Sequence, residues 1–317
     1  MRNLGFVALS CSLSIPGVGP AYAQDYPIKP IRIFTGEPGG GNDFAARVMS
    51  PELTRSLGRQ VIVDSRGIFA IETVAKAPPD GYSLLLYAAS TWLTPFMRDN
   101  TPWDPVRDFA PITLAMRIPN VLVVHPSLPV RNIRELIALA KSKPGQLNFS
   151  LASPGSVSSL GAELFKSMAG INIVRVPYKG TAQALNSLIS GEVQMMISVV
   201  SAAAPHVKSG RLRALAVTSA QPSPLAPGLP TVAGTGLPGY ESVSTYGMFV
   251  PSKTPEAIVA RLNQEIVRVL TRADIREKFF NAGIEAVGTS PEELAAYVKS
   301  EMARMGRVIR DAGIRGE

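Results

Sequence analysis

Short apolar runs rich in Val, Ile and Leu alternate along this chain with segments whose apolar residues recur at helical spacing. The runs predict strands at residues 31–35, 61–64, 82–88, 121–125, 147–151, 173–177, 193–199 and 212–218. Between them, "IRELIALAKSKPG" sets Ile133, Leu136, Ile137 and Ala140 on one helical face. "SLGAELFKSMAG" does the same with Leu160, Leu164 and Met168, and "TAQALNSLISGE" with Leu185, Leu188 and Ile189. Each closes on a glycine, Gly170 or Gly191, the residue that most easily takes the left-handed turn ending a helix. Regular strand–helix–strand alternation implies an α/β fold of mainly parallel sheets flanked by helices.

Two longer helices close the chain. The first starts at Thr254-Pro255, with Ile258, Leu262, Ile266, Val269 and Leu270 as its buried stripe. The second opens on Ser290-Pro291-Glu292-Glu293, a capping box with proline at the first helical position. Its stripe is Leu294, Tyr297, Val298, Met302, Met305, Val308 and Ile309, and Gly313 ends it. Methionines at this spacing are core residues.

"TSAQPSPLAPGLPTVAGTGLPGYES" has neither period and is rich in Pro, Gly and Ser, so it reads as an extended connection. With "RIPNVLVVHPSLPV" (Arg117 to Val130) it makes two crossovers between folded units, near 117–126 and 219–245. Residues 24–122 plus 226–317 then form one lobe and 123–225 the other. Two α/β lobes joined twice leave a cleft between them, where the carboxyl ends of strands hold ligands.

The first residues stand apart from this pattern. Arg2 precedes a short apolar stretch and then Ala21-Tyr22-Ala23, which reads as a signal peptide (1–23) cleaved after Ala23. The apolar run is short and broken by Pro16, Gly17 and Gly19, so it does not suit a membrane span. The chain has a single cysteine, Cys11, which would leave with the signal; export to the periplasm is expected. The formal net charge is +8, but the Lys and Arg residues are scattered and no nucleic-acid motif occurs, so no nucleic-acid partner is expected.

Three strand–loop–helix junctions carry candidate chemistry. In "IRIFTGEPGGGNDFAARVM" a strand runs into Gly39-Gly40-Gly41 and a helix that begins near Asn42-Asp43. Free amides at a helix N-terminus favour an anion, yet a tight turn capped by Asn42 or Asp43 accounts for the residues equally well. The G-x-x-x-x-G-K-[ST] and G-x-G-x-x-G nucleotide loops are both missing. Ser153-Pro154-Gly155-Ser156 and Lys179-Gly180-Thr181 repeat the arrangement. Donor loops from both expected lobes point to a small anion in the cleft. Catalytic and metal-site patterns are not found: His125 and His206 are far apart in sequence, and Asp43, Asp64 and Asp80 have no visible partner. Asp80-Gly81 reads as a turn. No catalytic residue, metal or cofactor is assigned.

"YPIKPIRI" with "PGGGND", "VAKAPPDGYSLLL", "WDPVRDFAPITLA", "PNVLVVHPSLPV", "ELIALAKSKPG", "GAELFKSMAGI", "VPYKGTAQAL", "PHVKSGRLRALAVTS", "LPTVAGTGLPGYE" and "VIRDAGI" follow one another in this order. Together they resemble the Bug family, the periplasmic substrate-binding components of tripartite tricarboxylate transporters. The resemblance implies a Venus flytrap, the two-lobe periplasmic-binding-protein fold, that closes on a small carboxylate and docks on permease subunits. It implies ligand contacts from Pro38, Gly39, Gly40, Gly41, Asn42 and Asp43 in one lobe and from Ser153, Gly155 and Ser156 in the other. Ser90, Thr91, Gly180 and Thr181 would line the remaining wall, with Ser198 where many members carry aspartate.

The chain departs from the family pattern in its first loop, one residue shorter and carrying Glu37, and after Arg66, where "GIFAIETVAKA" replaces a longer run with A-G-G. A carboxylate beside a bound carboxylate is repulsive unless something compensates it, and an amphoteric ligand, nicotinate-like or amino-acid-like, is one resolution. The expected protein is a monomeric, non-enzymatic, non-spanning periplasmic binding protein for a di- or tricarboxylate, an amino-acid-like or an aromatic carboxylate. The alternatives are a subunit presenting its ligand to a sensor receptor, a secreted enzyme using Asp43 or His206 as base, and a degenerate member that binds nothing.

Overall fold

The computed structural model describes residues 26–151 and 156–315. The expected signal peptide, its cleavage site, Ser153 and Gly155 lie outside these residues. The strands are β1 (Ile31–Thr35), β2 (Val61–Ser65), β3 (Ser83–Ala88), β4 (Phe109–Val124), β5 (Asn148–Leu151), β6 (Val174–Pro177), β7 (Met195–Val199), β8 (Arg213–Val217), β9 (Val243–Pro251) and β10 (Glu285–Ala286). The helices are α1 (Gly41–Leu57), α2 (Phe69–Ala75), α3 (Ser90–Met97), α4 (Ile133–Ser142), α5 (Val157–Ala169) and α6 (Thr181–Ile189). They continue with α7 (Val200–Lys208), α8 (Val232–Thr235), α9 (Glu256–Leu270), α10 (Ala273–Asn281) and α11 (Pro291–Asp311).

Each of the eight apolar runs coincides with a strand. The run at 121–125, however, is only the end of β4, a strand of 16 residues that serves both lobes. Its first part pairs with β9 and β10, and its last residues, Asn120 to Val124, pair with β7 and β8. The full order is β2-β1-β3-β9-β4-β7-β5-β6. Pairs β1–β2, β1–β3, β5–β6 and β5–β7 are parallel. Every pair that includes β4 or β9 is antiparallel. Each lobe therefore has a parallel portion made by strand–helix alternation and an antiparallel edge supplied by the chain passing between lobes.

Three segments meet where the lobes join. The Thr218 amide donates to the Asn120 carbonyl at 2.9 Å, and the Ser242 amide donates to the Thr218 carbonyl at 2.8 Å. The Thr218 hydroxyl lies 3.1 Å from the Asn120 carbonyl and 2.5 Å from that of Ser242, and Asn120 Nδ2 donates to the latter at 3.4 Å. All three residues are buried. These bonds fix where the connections cross.

Helix α11 runs along both lobes. Its capping box is present, with the Ser290 hydroxyl accepting from the Glu293 amide and the Glu293 carboxylate accepting from that of Ser290. Leu294 and Val298 pack with Trp92 and Phe249 of the first lobe, and Met305 and Ile309 belong to the same core, which continues through Leu122, Phe149 and Phe165 of the second. Gly306 allows close approach to α3, since a Cβ there would sit 2.7 Å from the Phe96 ring. A second core lies under α1, α9 and α10 (Ile33, Met49, Met248, Leu262, Phe279), and a third under α6 and α7 (Val121, Leu188, Met196, Val200).

Candidate ligand-binding cleft

Strand directions decide where the loops go. Parallel β1 and β3 end on the same edge of their sheet, and the last residue of β3, Ala88, lies opposite Tyr246, which lies opposite Met116 of β4. In the second lobe β7 ends at Val199, opposite Asn120 of β4, and β5 runs parallel to β7. The two carboxyl edges thus face each other across residues 116 to 120 of β4, a span of about 13 Å at extended-strand rise. The loops after β1, β3, β6 and β7 open toward this gap, and the N-cap of α5, Ser156, follows the end of β5.

The loop after β1 is built to expose backbone amides. Gly39 takes φ 79°, a conformation open to glycine at little cost. Gly40 is the N-cap of α1 without any side-chain cap, and its own amide donates to the Glu37 carbonyl at 3.1 Å. Among the described residues no acceptor takes the amides of Gly41 and Asn42, the first two positions of the helix. Such a pair at the positive end of a helix dipole suits an anion. A Cβ on Gly41 would lie 3.1 Å from Ile118 Cδ1 and 3.9 Å from the Tyr246 hydroxyl, so the helix start rests on the β4–β9 floor beside the crossover.

Asn42 and Asp43 support this loop from within. Asn42 Nδ2 donates to the Leu86 carbonyl at 3.3 Å. The Asp43 carboxylate accepts from the Gly39 amide at 2.9 Å, from Arg47 Nε at 3.0 Å and from the Ser65 hydroxyl. Burial works against its charge, but the bonds from Arg47, Ser65 and Gly39 outweigh it and hold the carboxyl below its usual range. With all these donors engaged, Asp43 shapes the cradle rather than presenting a free base to the cleft.

The other predicted positions fall as follows. Pro38 is exposed on the loop. Ser90 begins α3; Thr91 is 1% exposed, its carbonyl accepts from Trp103 Nε1 at 2.8 Å and its hydroxyl is buried without a partner. Ser156 is the N-cap of α5 and accepts from the Ser159 amide. Gly180 is the N-cap of α6, with no side-chain cap, and Thr181 is its first residue. Ser198 is buried in β7. Sequence reasoning missed the tyrosines at the lobe-1 edge, Tyr87 and Tyr246, and Ser65, whose hydroxyl bonds to Asp43.

The residues considered for catalysis are not brought together. His125 Nδ1 pairs with the Ser127 hydroxyl at 2.7 Å, past the distal end of β4, while His206 sits on α7. Asp64 pairs with Arg66 and Arg32, and Asp80 with Lys29. Among the described residues no His, Cys, Asp and Glu cluster could hold a metal, and no helix is long and apolar enough to cross a membrane.

Residues 45–314 match the sequence family described as tripartite tricarboxylate transporter family receptor. The chain belongs to this family. It is 33% identical over 301 residues to protein BugT of Bordetella pertussis, covering 93% of this chain and 92% of that protein. Among solved structures, R. palustris Rpa4515 with adipate is 35% identical with a TM-score of 0.74, over 92% of this chain and 99% of that one. MatC from Rhodopseudomonas palustris with bound malate is 28% identical with a TM-score of 0.70, over 90% of this chain and all (100%) of that one. The two sheets and their shared strand are thus the fold of these receptors, and the family is one of solute-binding proteins.

Proposed function

We propose that this receptor captures a small carboxylate between its lobes in the periplasm and hands it to the permease subunits of a tripartite tricarboxylate-type transporter. The observation that carries the reading is the pair of amides at Gly41 and Asn42, on a cleft edge, that meet no acceptor among the described residues. The N-termini of α5 and α6, at Ser156 and Gly180-Thr181, open toward the same gap from the other lobe. Relatives of the same fold carry adipate and malate, both dicarboxylates. Pro38 to Asp43, Ser90, Thr91, Ser153, Gly155, Ser156, Gly180, Thr181 and Ser198 are assigned to this cleft, Asn42 and Asp43 through the loop they brace. The cycle is binding and closure without chemistry, the ligand favouring the closed state by the contacts it makes only there.

The test is a thermal-shift screen of the purified protein against mono-, di- and tricarboxylates, amino acids and pyridine carboxylates, each beside its methyl ester or amide. A ligand at a hundred times its dissociation constant stabilises the folded state by about 2.7 kcal/mol. Carboxylates are expected to raise the melting temperature and their neutral counterparts not to. Equal shifts from acids and esters, or none from any acid, would refute the reading.

A further inference from the structure

Where β4 passes from one lobe to the other it carries a guanidinium without an acceptor. Among the described residues four lysines and arginines are not exposed: Arg117, Lys166, Arg213 and Arg304. Lys166 lies 3.4 Å from the Glu163 carboxylate, and Arg213 donates to the carbonyls of Leu128 and Val130. Arg304 donates to the Glu301 carboxylate and the Glu241 carbonyl. Arg117 is the exception. Its Nε is buried, no described group accepts from it, and its Cζ lies over the Tyr297 ring, 5.9 Å from the centroid. An aromatic face attracts the charge but leaves the N–H donors unpaired.

An acceptor stands beside it, engaged elsewhere. β10 pairs with β4 so that Glu285 lies opposite Arg117 and Ala286 opposite Met116. Met116 belongs to the core under α1, α9 and α10, against which Ala286 packs. Arg117 and Glu285 therefore share the other face of the sheet, the one that Tyr297 of α11 covers. Opposite residues of an antiparallel pair have Cβ atoms about 5 Å apart, within reach of an arginine–carboxylate bond. The Glu285 carboxylate instead accepts from the hydroxyl of Ser223, a buried residue in the connection from β8 to β9. That bond joins elements of different lobes, because Leu225 and Ala226, just beyond Ser223, pack in the core under α6 and α7. The turn before β10 also abuts the second lobe: a Cβ on Gly283 would lie 2.8 Å from Ser201 Cβ at the start of α7. A rotation of the lobes cannot leave the surroundings of Glu285 unchanged.

We propose that Arg117 and Glu285 form a hinge switch, in which Glu285 holds the Ser223 hydroxyl in the lobe arrangement seen here and pairs with Arg117 in the other. The inference rests on the lobe closure proposed above and not on the chemistry of the ligand. The unpaired guanidinium raises the energy of the present arrangement, and the Ser223 bond lowers it; in the other arrangement the ion pair replaces that bond. The balance between open and closed receptor is thus set at the hinge before any ligand arrives. Arg117 is a positioning residue that acts through Glu285 and touches no ligand.

Pulsed electron spin resonance of the ligand-free protein reads that balance as interlobe distances. Nitroxide labels go on Lys76→Cys of the first lobe and Asn186→Cys of the second, both exposed positions, in a Cys11→Ser background. Ser223→Ala is expected to favour the Arg117-paired arrangement and Arg117→Met the present one. The two variants should shift the ratio of the two distances in opposite directions, each about fivefold, the worth of one net hydrogen bond. Once Glu285→Gln is in place, Arg117→Met should have no further effect. Shifts in the same direction, an Arg117→Met effect that survives Glu285→Gln, or one unaltered distance in every variant overturns the switch. A merely structural Arg117 would give the last result, with a lowered melting temperature alone. The carboxylate screen is read separately. Acids that bind while the distances stay fixed leave the receptor reading standing without the switch, and shifted distances with no binding acid leave the switch standing without a carboxylate.

Discussion

Replacing Asp43 by asparagine removes the charge that braces the glycine loop while keeping the side-chain shape. Three donors converge on this carboxylate, whose side chain is 5% exposed. Bonds from the Gly39 amide and the Ser65 hydroxyl to a charged, buried acceptor are worth about 1.5 kcal/mol each. Arg47 is 56% exposed, so its ion pair adds only about 0.5 kcal/mol after solvent screening. Asparagine keeps one acceptor oxygen and places an N–H₂ against the remaining donors, so about 2 kcal/mol should be lost. For a protein of this size that lowers the melting temperature by about 4 °C. The pH dependence has a definite sign. The folded-state carboxyl sits below its ordinary value of 3.8, so its contribution is present above that value and fades as pH falls through the folded one. Calorimetric melts of wild type and Asp43→Asn should therefore differ near neutral pH and converge below 3.8. Equal melting temperatures at neutral pH, or a gap that persists undiminished in acid, would refute the assignment of Asp43 as the loop's brace.

Thr218→Val removes the hydroxyl shared between the Asn120 and Ser242 carbonyls and should cost about 1–2 kcal/mol in urea unfolding, with the midpoint shifted. Gly306→Ala drives a methyl to within 2.7 Å of the Phe96 ring and should destabilise by about 1–3 kcal/mol, because the ring must leave its packed position. Ser290→Ala deletes the N-cap of α11 at a cost of about 1 kcal/mol, seen as a lower thermal midpoint. Small-angle scattering should show a smaller radius of gyration with a saturating carboxylate than without it; an unchanged radius would count against closure.

The elements legible in the sequence are the short apolar runs flanked by helix-period segments. β3 and β7 read as nearly unbroken apolar runs because both of their faces are covered, and β1 does so except at the exposed Arg32. β9 escaped because its outer half, Ser244 to Gly247, is polar or small and follows directly on a Pro- and Gly-rich connection. The part of β4 before Val121 escaped because Pro111 and Pro119 lie within it, and proline argues against a strand interior. The sheet accommodates this stretch with register shifts between Pro111 and Thr113 and between Leu114 and Met116. The same contrast runs through the cleft. Glycine loops announce themselves locally, whereas the bond between Ser65 and Asp43 joins residues 22 positions apart and has no local signature. Tyr246 was lost together with its strand.

The unread strands are also what brings the strand ends of two α/β units to the one gap proposed as the binding cleft. β4 runs in the direction of β3, because β9 lies antiparallel to both. It leaves the first sheet at the edge where β1 and β3 end. Had β7 joined it in parallel, the second sheet would point the same way and its carboxyl edge would lie on the far side of the molecule. Because β7 runs antiparallel to β4, and β5 and β6 follow β7, those strands run back toward the first lobe and end facing it. Helix N-termini from both lobes then open onto a single gap. Strand–helix alternation gives each lobe an anion-favouring edge, and the antiparallel crossing alone makes the two edges oppose each other.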